Sequence, residues 1–135
     1  MNYVKALMML LASFGVLLGA RPLSAHHAFA TEFDPHLELT LKGKVTRVEW
    51  MNPHIYFYLD AKDDSGRAVH YAVQAAGPMT LFKLGWTSTS LKPGDVVTVV
   101  GYKSRDGWNR MNARDDTMPD GKKVVVGVAD PIQHN

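Results

Sequence analysis

The chain has 135 residues, 46% of them hydrophobic and 21% charged, with 15 Lys or Arg against 13 Asp or Glu and no Cys. That length and composition suit one globular domain and exclude collagen-like, disordered and disulfide-stapled classes. Residues 1–25 hold Lys5 and Arg21 and no acid, so residues 26–135 balance 13 cations with 13 acids, which leaves no polybasic footprint for a nucleic acid.

Lys5 precedes an apolar run from Ala6 to Ala20, and Leu23-Ser24-Ala25 closes the segment with small residues. A cation, an apolar region and a small-residue end form the tripartite pattern of a secretory signal, and the run is shorter than the ~20 residues of a membrane-spanning helix. Residues 1–25 are therefore expected to be a signal peptide directing the protein to the periplasm or the medium, with no membrane span once it is removed. Cleavage after Ala25 leaves His26 as the new N-terminus. Leu18-Gly19-Ala20 offers a competing cut, which leaves Pro22 close behind the new end. Without cysteines, the mature domain folds in an oxidising compartment with no disulfide chemistry.

Residues 26–38, with Pro35, read as a partly extended N-terminal arm, and residues 39–135 as the folded domain. From Leu39 apolar and polar residues alternate through Leu41, Gly43 and Val45, then slip in phase at Arg47-Val48 before Trp50. Period two with a slip predicts a long strand carrying a bulge. Asn52-Pro53 marks a turn. Ile55 to Leu59 predicts a second strand, Asp63 to Gly66 a hairpin turn, and Ala68 to Val73 a third strand. The spacing then changes: Met79, Leu81, Phe82, Leu84 and Trp86 suit a short helix started by Pro78 and stopped by Gly85. Leu91 to Asp95 is a tight turn feeding a strand from Val96 to Tyr102, and a last hairpin around Met118 to Gly121 ends in Val124 to Val128. Three strands, one short helix and two more strands give an all-β class in the order of an OB-like five-stranded Greek-key barrel. A plain five-stranded roll has the same order. The long first strand with its slip favours the barrel, because such a strand bends around both halves of the sheet.

Six histidines stand at 26, 27, 36, 54, 70 and 134. A free N-terminal His26 offers its α-amine, of pKa near 8, and its ring Nδ1 as a chelating pair. His27 and His54 are the candidate further donors, and an all-nitrogen set without thiolate favours Cu(II). The same histidines also suit a frayed terminus and a turn; His70 and His134 are expected to face solvent. Trp50, Met51, Tyr56 and Tyr58 form an aromatic band beside His54. Trp50, Met51, Asn52 and Tyr56 are the candidate ligand-binding residues, since aromatics on the strand-two and strand-three face of such barrels stack on bases or sugars. The same rings also suit the core of so small a domain. Glu32, Asp34 and Glu49 are possible supports for an imidazole. The acidic turns lack the alternating oxygen ligands of a calcium loop, and serine-nucleophile, phosphate-loop and dinucleotide motifs are missing.

Several phrases carry a family resemblance: His26 to Asp34, Gly43 to Trp50 with Asn52-Pro53-His54, Gly85-Trp86, Ser90 to Asp95, Gly101-Tyr102, Asp106-Gly107, Asn112 to Arg114 and Pro119 to Gly121. Together they resemble the exported bacterial domain of unknown function 6152 over essentially the whole mature chain. Relatives usually carry Ser at Ala28 and Arg near Thr87. The resemblance implies export and brings no activity. The expectation is a small exported binding protein, a copper-binding or copper-carrier protein with its site at His26, His27 and His54. The alternative is a metal-free module using the aromatic barrel face for a small molecule or a partner protein. A copper-dependent oxidase on the same histidines is a weaker third reading, and no assembled catalytic set argues for an enzyme.

Overall fold

The computed structural model describes residues 29–63 and 65–127. The expected export segment, both expected cleavage positions, His26, His27 and His134 lie outside the described residues. A helical turn over residues 29–32 leads into β1 (Phe33–Glu49), followed by β2 (Tyr56–Lys62), β3 (Ala68–Gln74), the helix α1 (Pro78–Lys83), β4 (Val96–Ser104), β5 (Arg110–Thr117) and β6 (Lys123–Val125). The described residues are thus mostly β, with two short helices rather than the one expected and six strands rather than five. No helix among the described residues is long and apolar enough to cross a membrane.

The six strands form one sheet in the order β3-β2-β1-β4-β5-β6, and β3 also pairs with β5 in parallel. Hydrogen bonding therefore runs from β1 through β2, β3, β5 and β4 back to β1. β1 serves two neighbours because it is long: Phe33 to Lys44 face β4, and Gly43 to Glu49 face β2. At the crossing a side chain on Gly43 has no room, since its Cβ would stand 2.7 Å from the Asp60 carbonyl oxygen. The expected phase slip is present between Val45 and Arg47, just ahead of Arg47-Val48, and it keeps Val48 opposite Phe57 of the core.

β1 begins at Phe33, ahead of the alternation that predicted it from Leu39. Tertiary contacts rather than pattern recruit this stretch out of the expected arm. Phe33 is buried, the Phe29 ring packs 5.6 Å from it and edge-on to Tyr102, and the Arg105 N–H donates to the Glu32 carbonyl. α1 matches its signals, with Pro78 in the first turn, Leu81 buried, and Gly85 at φ +88° just beyond the end. The fifth member of the pairing circuit is β5, not the Val124–Val128 segment that was expected. β6, at the front of that segment, is a short edge strand paired to β5.

The inward faces of the strands supply the core: Val45, Phe57, Leu59, Val73, Val97, Val99, Met111 and Ala113, closed by Leu81, Trp86 and Leu91. One charged residue shares this space. Asp116, on β5 opposite Val99, is 0% exposed, and neither of its carboxylate oxygens has a well-formed hydrogen bond among the described residues. Burial pushes its carboxyl up to about 7, against a weaker downward pull from the Thr117 backbone amide.

Candidate functional site

Strand alternation sorts β2 cleanly. Phe57, Leu59 and Ala61 point into the core, while Tyr56, Tyr58 and Asp60 face outward. Their cross-strand partners on β3 are Gln74, Ala72 and His70, and Arg110 and Asn112 of β5 lie next to Ala72 and Gln74. The parallel β3–β5 pairing thus carries the β4–β5 turn to the outer face of β2 and β3. Between them lies a cleft of about 530 Å³, lined by Tyr58, His70, Tyr71, Ala72 and the turn residues Asp106, Trp108, Asn109 and Arg110.

The turn is tied down at both ends. The Asp106 carboxylate accepts hydrogen bonds from the Ser104 hydroxyl and from the Trp108 N–H at 3.0 Å, and it pairs with Arg110 at 3.1 Å. These donors, the Ser104 hydroxyl first, hold the Asp106 carboxyl below the usual carboxylate range. The Ala72 N–H donates to the Asn109 carbonyl at 3.0 Å. Arg110 also pairs with Glu32 at 2.8 Å and covers the Phe33 ring, while Arg105 bonds the Ala30 carbonyl and pairs with Asp34. On this anchored turn the Trp108 indole is 74% exposed.

The opposite wall is ordered by charge. The Tyr58 hydroxyl donates to Glu49 at 3.0 Å, and Arg47 lies 4.0 Å over the Tyr58 ring while pairing with Glu49 at 3.1 Å. Burial, and next the Glu49 hydrogen bond, raise the Tyr58 phenol above its ordinary value; burial and the Glu32 charge do the same for Tyr56. His70 Nδ1 stands 2.6 Å from Asp60, with its side chain 83% exposed, as expected of a solvent-facing histidine.

The structure brings one predicted ligand-binding residue, Tyr56, to this face, one step along β2 from Tyr58. The others sit on the β1–β2 turn, which is bonded to the chain beyond β3: Ile55 N–H to the Ala76 carbonyl and Ala75 N–H to the Ile55 carbonyl. There Trp50 packs on the core, Met51 is 51% exposed, and Asn52 is exposed with a cis bond to Pro53. The Pro53 carbonyl approaches Gly77 so closely that a Cβ there would stand 2.5 Å from its oxygen. His54 is half-buried, and its buried Nδ1 has no hydrogen-bond partner among the described residues. Among the described residues no group of three or more His, Cys, Asp or Glu is gathered as a metal site; His26 and His27 lie outside those residues.

Residues 15–114 match the model of a family of unknown function, DUF6152. The chain belongs to DUF6152. The matched stretch takes in β1 to β4 and β5 as far as Arg114, so the whole cleft of this DUF6152 member lies inside the family region. No curated protein matches the chain. Sequence reading missed Trp108 and Arg110 as site residues of this DUF6152 domain. The available signal was a tryptophan inside a glycine turn, Asp106-Gly107-Trp108-Asn109, where a large ring has no core to enter.

Proposed function

We propose that this DUF6152 protein is an exported binding module, an OB-like five-stranded barrel that seats a small ligand in the cleft between the β2–β3 face and the β4–β5 turn. The observation that carries this reading is Trp108, a large exposed ring held on a turn anchored at both ends. Fixing the backbone that carries an aromatic ring lowers the entropic cost of binding. The circuit of strand pairings, with α1 between β3 and β4, supports the barrel, in which β6 is an appended edge. In such barrels the strand-two and strand-three face and the adjoining loops receive ligands. The test is a thermal-shift screen of small molecules on the mature protein and on Trp108→Ala. Ligands of this cleft raise the Tm of the parent and leave the variant unmoved; hits that stabilise both equally refute the site.

A second reading is copper capture by His26, His27 and His54 after cleavage at Ala25. One feature of His54 favours it: its buried Nδ1 has no hydrogen-bond partner among the described residues, an unmet demand that a ligand reaching the ring would satisfy. Copper titration of the processed protein, of His54→Ala and of a form with one added N-terminal residue tests it. Equal affinity in all three removes the site.

A further inference from the structure

We propose that the ligand of the cleft is an uncharged oligosaccharide, an inference that rests on the cleft being the binding site. Charge argues first. Each cation beside the cleft is already engaged, Arg110 by Glu32 and Asp106 and Arg47 by Glu49, and His70 stands against Asp60. The carboxylates Glu32, Glu49, Asp60 and Asp106 outnumber the two guanidinium groups, so a phosphate or carboxylate ligand meets net repulsion. The face of the Tyr58 ring is already taken by a cation, Arg47 at 4.0 Å, so a cationic ligand finds no place there.

Shape argues next. Small apolar ligands are held in enclosed pockets that cover most of their surface. Here the rim groups stand in solvent, with the indole 74% and the His70 side chain 83% exposed. Such an open groove suits a chain that runs across it and contacts it on one side. The chemistry of the lining completes the match. A pyranose ring has an apolar C–H face for the indole, and Gly107 leaves the approach to Trp108 free of a neighbouring side chain. Its hydroxyls both donate and accept, which suits the exposed Asn109 amide and the His70–Asp60 pair. The anchored turn holds the backbone of Trp108 in place before the ligand arrives.

The test uses maltohexaose, cellohexaose and chitohexaose as probes, with ADP as an anionic ring compound, and follows the Trp108 indole N–H by NMR on the mature protein. The Trp108→Ala spectrum assigns that signal, and its remaining dispersion reports whether the variant is folded. His70→Ala serves as a second, exposed variant. The expected result is that at least one hexasaccharide shifts the signal, that ADP does not, and that affinity falls about tenfold or more in Trp108→Ala, as for other stacking platforms. If ADP moves the indole and no hexasaccharide does, the sugar inference falls while the cleft stands as a site. If no probe moves it, or if sugar binds both variants as tightly as the parent, the inference is overturned.

Discussion

Ionisation of Asp116 is expected to set the pH dependence of stability. Its carboxyl is raised from 3.8 to about 7 by burial among core side chains. The sign follows from linkage: a carboxyl raised in the folded state contributes nothing below about pH 4, where folded and unfolded forms are both protonated. Between pH 4 and 7 the unfolded chain ionises while the folded one holds its proton, so stability falls; above about pH 7 the loss levels off. That displacement corresponds to about 4 kcal/mol across the window. Asp116→Asn keeps the shape and removes the titration. Its amide has unmet hydrogen-bond demands of about 1–3 kcal/mol, so the difference between the two pH curves is the cleaner observable than either stability by itself. Urea denaturation of parent and variant at unit steps from pH 4 to 8 measures it. The expected outcome is a parent that loses about 4 kcal/mol more than Asp116→Asn over that range. Parallel curves would refute the assignment of a protonated carboxyl to the core.

Two further outcomes are expected. Asp106→Ala removes the acceptor shared by Ser104 and Trp108 and one partner of Arg110; because the carboxylate is exposed, global stability changes little, whereas hydrogen exchange at the turn amides rises well above that of β4 and β5. Mass spectrometry of the exported protein is expected to find an N-terminus at His26, and a mature chain starting at Arg21 removes the chelating amine from the copper reading.

Most of the architecture was legible because it rests on local signals. The alternation of Leu39 to Val45, the apolar and aromatic run of Ile55 to Leu59, the Asn52-Pro53 and Ser65-Gly66 turns, and the Pro78 and Gly85 boundaries of α1 each act over a few residues, and each matches its element in the fold. β5 had no such signal. Arg110 to Thr117 places just two apolar side chains, Met111 and Ala113, on the inner face. An irregularity opposite Val100 and Gly101 then inserts Arg114, and the changed phase turns Asp116 inward against Val99. Strand pairing with β4 and β3 imposes that conformation on a sequence whose own pattern opposes it. The cleft escaped sequence reading for the same reason. Tyr58 and His70 come from one hairpin, and Trp108 and Arg110 from a turn far along the chain; the parallel register of Ala72 with Arg110 is what joins them. Composition and spacing determined that this chain makes a small β domain with aromatic strands. Which aromatics became core, as Phe57 and Trp86 did, and which became an exposed platform, as Trp108 did, was decided by non-local pairing, because a ring is buried only where another strand or helix arrives to cover it.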